Sequence, residues 1–157
     1  MFKKILVPLD GSAFAERALP AAEALAASLG ADLALVRAVP LVAPGEGEPG
    51  IVSYLDERRI AEAQDYVTRM ATSLRIGRPV TAQAYLADDI ANGILARARD
   101  IGADVIVMTS HGESWPSVDP LGGTAARLTR QADCPLLVIG PHAVPRETAA
   151  RGEGAHA

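Results

Sequence analysis

A single cysteine, Cys134, excludes an internal disulfide and a cysteine-built metal cage. Lysine occurs only at Lys3 and Lys4, ahead of the first apolar run. The phosphate-loop ATPases need Gly-x-x-x-x-Gly-Lys-Ser/Thr, and that motif is absent. A phospho-acceptor receiver domain needs a lysine near the strand ends, and none stands there. Aromatic residues make up 4% of the chain, so the core must come from Ala, Leu, Val and Ile, and a flavin would find few stacking partners. No apolar run approaches the roughly 20 residues that span a bilayer. The net charge of -4 offers no basic face for nucleic acid. The chain starts almost directly in a strand, with no signal-peptide pattern, which points to the cytoplasm.

What is present is ample apolar material, 49% of 157 residues, arranged in alternating periods. Lys4 to Pro8 reads as a short buried strand. A helix is expected from Ala13 to Leu29, with Phe14, Ala18, Ala22, Leu25 and Leu29 on one face. Ser12 suits its N-cap and Gly30 its end, while Pro20 would kink it. Leu33 to Val39 is a second strand, and Pro40 to Gly50 a loop. Ser53 to Leu74 reads as a helix with an apolar stripe at Ile60, Ala63, Val67, Met70 and Leu74. Its charges Glu57, Arg58, Arg59, Glu62 and Asp65 read as a solvated face. Val80 to Leu86 alternates like a half-exposed strand. Asp88 or Asp89 caps the next helix, which carries Ile90, Ile94 and Ala98 on one face and ends at Gly102. Asp104 to Met108 and Pro135 to Ile139 are further strands, with a short helix at Gly122 to Ala132 between them. The order βαβαβαβαβ implies an α/β fold with a parallel sheet covered on both faces. Residues 1–142 form one domain, and residues 143–157, rich in Ala, Gly and charge, a loose tail.

Two loops leave strand ends in a way that suits an anionic ligand. Pro8-Leu9-Asp10-Gly11-Ser12 closes the first strand. Met108-Thr109-Ser110-His111-Gly112 closes the fourth, and Gly122-Gly123-Thr124 opens the following helix. Strand ends in such sheets face a crevice, and a helix N-terminus presents unpaired N–H groups.

These pieces together resemble the universal stress protein family. Ile5 to Ser12 is similar to its first strand and loop, and Ala15 to Leu19 to its first helix. Gly102 to Met108 with His111-Gly112 is similar to its fourth strand and turn, and Cys134 to Ile139 to its last strand. The resemblance implies a doubly wound five-stranded parallel sheet in the order 3-2-1-4-5, with Asp10 and Gly112 brought together at the switch point. It also implies an adenine nucleotide (ATP, ADP or AMP), with Mg²⁺ or Mn²⁺ beside a triphosphate. Pro8, Asp10 and Ala38 would meet the base, with Leu9 also at the site. Met108, Thr109, His111, Gly112, Gly122, Gly123 and Thr124 would line the rest of the site. Nucleotide-binding members carry Gly, two residues, Gly, nine residues, Gly, then Ser or Thr. Gly112 and Gly122 match the second and third glycines, but Thr109 replaces the first and Gly123 the hydroxyl residue. The loop from Glu113 to Leu121 holds Glu113 and Asp119 and no Lys or Arg, so a triphosphate would need a bridging cation.

The candidate residues carry competing roles. Asp10 either accepts from the adenine amino group or caps the following helix. The glycines either admit a phosphate or shape a tight turn. His111 lacks a neighbouring acid or nucleophile and reads as a turn histidine bonded to backbone. Ser12 is a cap, since no Gly-x-Ser-x-Gly elbow exists. Trp115 covers either the ligand or a partner, or packs on the surface. The function expected is a nucleotide-binding stress-response protein with no catalytic task. The alternative is a family member without nucleotide that acts through dimerisation and partners. The resemblance implies a homodimer through the last strand, Pro135, Leu136, Leu137, Val138 and Ile139.

Overall fold

The computed structural model describes residues 2–41, 49–113 and 116–143, with side chains from residue 53 onward in the second of these segments. Most of the expected loop at Pro40 to Gly50, Trp115, and the tail beyond Ala143 lie outside the described residues. Five strands form one parallel sheet: β1 (Lys4–Pro8), β2 (Asp32–Pro40), β3 (Val80–Ala87), β4 (Val105–Thr109) and β5 (Leu136–Ile139). Their order is β3-β2-β1-β4-β5. The register runs from Lys4↔Asp32 to Pro8↔Val36 between β1 and β2, and β1 meets β4 at Ile5↔Val105 and Leu6↔Ile106. Among the described residues four α-helices cover the sheet: α1 (Leu19–Leu29), α2 (Pro49–Ser73), α3 (Ile90–Ile101) and α4 (Gly123–Gln131).

Alternation along the central strands sends side chains to two cores. Ile5, Val7, Leu33, Leu35, Val105 and Val107 pack with Ala22 and Ala26 of α1 and Tyr66 and Val67 of α2. Leu6, Ala34, Val36, Ile106 and Met108 pack with Ile94, Leu95 and Ala98 of α3 and Ala125 and Leu128 of α4. The central strands are apolar on both faces because both faces are covered. Edge strand β3 is polar at alternate positions, and Leu86 near its end stays 39% exposed.

The expected helix from Ala13 to Leu29 is two elements. A 3₁₀ turn spans Ala15–Ala18, and α1 begins only at Leu19. Pro20 therefore sits in the first turn of α1 rather than inside a helix. At that position proline is tolerated, because a first-turn N–H has no intrahelical partner to lose. Gly30 and Gly102 both end their helices in the left-handed conformation. Gly93, the expected weak point of α3, has a packing reason: a Cβ there would stand 2.9 Å from the Ala87 Cβ and 3.2 Å from Tyr85. At the opposite end of the sheet from the two loops, Lys3 and Lys4 donate their backbone N–H groups to Asp104 at 2.7 and 2.9 Å. That carboxylate fixes the start of β1 beside β4.

Candidate functional site

The carboxylate of Asp10 ties the two strand-end loops together. Leaving β1, Leu9 donates to the Val36 carbonyl, and the chain turns. One oxygen of Asp10 accepts from the Ser12 backbone N–H at 2.9 Å and from the Ser12 hydroxyl at 2.6 Å. Ser12 Oγ in turn accepts from the Ala15 N–H at 3.1 Å, which opens the 3₁₀ turn. The other oxygen of Asp10 accepts from the Glu113 N–H, across the crevice, at 2.8 Å. Gly112 makes that contact possible, because a Cβ there would lie 1.8 Å from Asp10 Oδ2. Asp10 thus caps its own loop and spans to the next.

The turn after β4 is fixed by its own side chains. Thr109 donates its hydroxyl to the His111 carbonyl at 2.5 Å. Ser110 donates its N–H to Ile139 and accepts from the Gly122 N–H. His111 is buried, with Nε2 2.9 Å from the Asp119 carbonyl and Nδ1 3.0 Å from Ser110 Oγ. A carbonyl only accepts, so Nε2 carries a proton, and in the neutral ring Nδ1 accepts from Ser110. This is a turn histidine bonded to backbone. Phe14 meets its ring edge-on at 6.2 Å between centroids.

Gly122 begins α4 in extended backbone with no side-chain cap. The N–H groups of Gly123, Thr124 and Ala125 therefore have no intrahelical acceptor. Gly123 has open space where a Cβ would stand. Among the described residues no group of three or more metal-ligating side chains converges.

Between the two loops lies a cavity of about 620 Å³, within the range of small-molecule sites. All eleven residues expected at the site line it: Pro8, Leu9, Asp10, Ala38, Met108, Thr109, His111, Gly112, Gly122, Gly123 and Thr124. One expectation about the loop is corrected. Glu113 lines the cavity, but Asp119 does not. Its backbone is held elsewhere, with the carbonyl on His111 and the N–H on Ser117 Oγ. Two cations that sequence reasoning did not place here also line it, Arg37 of β2 and Arg59 of α2, together with Glu62. Arg37 was legible as the lone charge inside an apolar strand. Arg59 and Glu62 looked like solvated face, and only the seating of α2 beside the end of β2 brings them in. Arg59 donates to the Pro40 carbonyl at 2.7 Å. The first basic residue after the loop, Arg127, turns away to Asp89, the N-cap of α3, and to Asn92 within it. Its hydrogen bond holds the Asp89 carboxyl below the usual carboxylate range.

Comparison with known proteins bears on the family and the fold. The family model described as the universal stress protein family matches residues 1–140. The chain belongs to the universal stress protein family. A universal stress protein of Thermus aquaticus is 34% identical over 139 residues, covering 88% of this chain and 99% of that protein. The universal stress protein UspA from Lactobacillus plantarum superposes with a TM-score of 0.78 at 23% identity, over 88% of this chain and 97% of that one. A family protein from Arabidopsis thaliana, solved with AMP bound, superposes with a TM-score of 0.59 at 15% identity, over 92% of this chain and 97% of that one. At such identities the two structures speak for the fold that universal stress proteins share.

Proposed function

We propose that this universal stress protein binds an adenine nucleotide in the crevice and carries no catalytic task of its own. The observation that carries the reading is the convergence of all eleven expected residues on one cavity of about 620 Å³. The base lies near Pro8, Asp10 and Ala38, and the phosphates near Gly112 and the first turn of α4. The unpaired N–H groups there, with the helix dipole, attract an anion. A family protein with AMP bound shares the fold. The protein acts in the cytoplasm as a homodimer joined through β5. Among the described residues no helix is long and apolar enough to cross a membrane.

Two features favour a second reading, a family member that acts through partners alone. Gly123 supplies no hydroxyl for a phosphate, and both oxygens of Asp10 are already engaged. Titration calorimetry with AMP, ADP and ATP, with and without Mg²⁺ or Mn²⁺, decides between them. The nucleotide reading expects ATP to depend on the metal more than AMP does, because each added phosphate brings charge towards Glu113. No binding of any of the three at millimolar ligand leaves the partner reading. Metal-independent ATP binding tighter than AMP binding means that Glu113 points away from the phosphates.

A further inference from the structure

The sheet ends in two edge strands, and a side chain of α2 closes one of them. β3 pairs with β2 and, among the described residues, has no strand on its other side. Ala87 gives its carbonyl to the Leu41 N–H just past β2. By alternation, Ala82, Ala84 and Leu86 turn their backbone groups to the free edge. Gln64, half-buried on α2, reaches that edge. Its carboxamide nitrogen donates to the Ala82 carbonyl at 3.1 Å, and its oxygen accepts from the Ala84 N–H at 2.9 Å. The nitrogen also donates to the Thr68 hydroxyl, one turn along the helix, at 3.2 Å. A backbone N–H only donates and a carbonyl only accepts, so the strand fixes which way the amide faces. Ala63 and Ala84, both buried, pack with Val39 and seat α2 close enough for this reach.

The two strand groups that Gln64 takes are those that a further strand would engage. In a parallel ladder, the residue opposite Gln83 would donate to Ala82 and accept from Ala84. The carboxamide plays both parts, in the layer about 4.8 Å out where that neighbouring backbone would run. An amide combines the two roles in one planar group, whereas Lys and Arg only donate and ionised Asp and Glu only accept. The other edge has no such cover. Arg17 bonds to the Pro141 and Ala143 carbonyls, past the end of β5. Among the described residues no side chain bonds to the backbone of Leu136–Ile139. An open edge is a template for another chain. The partner always at hand is the same strand of a second copy, antiparallel across a twofold axis.

We propose that Gln64 is an edge guard: it stands in for a further strand, keeps β3 from pairing with β3 of a second copy, and leaves β5 as the open edge. The guard matters because a sheet with two open edges has no natural end to its assembly. Pairing through both β3 and β5 runs on into open chains, while one open edge closes at a dimer. The inference concerns the β3 edge alone. It holds for a monomeric or a dimeric wild type, since each outcome is read as a change from wild type.

Light scattering on the full chain from about 10 to 200 µM, a range suited to weak self-association, tests this, with thermal melts as the check on folding. The chains compared are wild type, Gln64→Ala, Gln64→Glu, and Gln64→Ala combined with Thr81→Lys. Gln64→Ala opens the edge, and its mass should rise with concentration to about twice the wild-type value or more. Gln64→Glu forfeits the bond to the Ala82 carbonyl and loses stability with it. It also sets a charge on the edge, so it should keep the wild-type mass. Thr81 is exposed on the same strand. Thr81→Lys should return Gln64→Ala to the wild-type mass without restoring either bond, because the two lysines of a paired edge repel. If Gln64→Ala fails to fold, Gln64→Asn, one methylene too short to reach the strand, takes its place with the same expected outcomes. A folded variant that keeps the wild-type mass at every concentration overturns the proposal. So does association that Thr81→Lys leaves in place. Equal association in Gln64→Glu overturns it too, because lost stability alone then explains the effect.

Discussion

At the scale of single residues, Asp10 and Gly112 act as one device. Adding a methyl group at Gly112 would force it into Asp10 Oδ2, so the bond to the Glu113 N–H must break or the loops must part. Gly112→Ala should destabilise the fold by about 2 kcal/mol in denaturant titrations, the scale of a lost hydrogen bond to a charged group with strain. On an Asp10→Ala background the clash is gone, and the same substitution should cost well under half as much. Equal costs on both backgrounds would show that the two residues are not coupled. Gly123 is the opposite case. A Cβ there meets nothing, so Gly123→Ser should fold normally and add a hydroxyl to the first turn of α4. Affinity for AMP should rise about fivefold or more, as expected for one hydrogen bond to a charged group. An unchanged affinity in a folded variant would move the phosphate away from α4. The sequence disclosed that these residues belong together, because loop residues after buried strands converge in this topology. It did not disclose that Asp10 spends both oxygens on the protein, since that depends on a backbone N–H 103 residues away.

Among the elements, the central strands were the most legible and the first helix the least. Continuous apolar runs at Ile5 to Val7 and Val105 to Met108 admit one reading, a strand covered on both faces. The stretch from Ala13 to Leu29 has helical spacing throughout, yet the chain makes a 3₁₀ turn and then a helix. Pro20 carried the warning, because proline at the start of a helix costs nothing and inside one costs about 3 kcal/mol. The charges of α2 face solvent as expected, yet Arg59 and Glu62 also border the cavity. Periodicity tells which face is wet, not whether that wet face borders a ligand cavity. At the foot of the sheet, Asp104 offers a test of how β1 is held. Two backbone N–H groups hold its carboxyl below the ordinary value of 3.8. A lowered folded value means that its contribution is complete above the ordinary value and is lost as pH falls through the lowered one. The thermal midpoint should therefore drop as pH falls below 3.8, and Asp104→Asn should flatten part of that slope. An identical acid profile in the variant would assign the loss to other carboxylates.

For the whole molecule, the sheet order leaves two edges, and they are unlike. β3 offers eight residues with Thr81 and Gln83 exposed on one face, and Arg97 reaches over to the Gln83 side chain. β5 is four apolar residues, Leu136–Ile139, paired to β4 alone, with Leu137 39% exposed. Its neighbour Pro135 stands outside the strand but still gives its carbonyl to the Ile106 N–H, so the ladder begins one residue later than the apolar run suggests. An unpaired apolar edge invites a second strand. Two copies meeting across a twofold axis would pair β5 with β5 and cover Leu137 on each. That arrangement also leaves the crevice of each copy open, because its walls come from β1, β2 and β4 and the helices beside them. The protein should therefore be a dimer by light scattering at tens of micromolar, an order typical of such contacts. Leu137→Asp should make it monomeric, and Thr81→Asp on the other edge should not. Nucleotide affinity per chain should be the same for the Leu137→Asp monomer and the wild-type dimer. A wild-type monomer at that concentration, or a dimer lost through Thr81 and kept through Leu137, would take the interface away from β5. Loss of nucleotide binding in the monomer would instead mean that the partner copy helps to build the site.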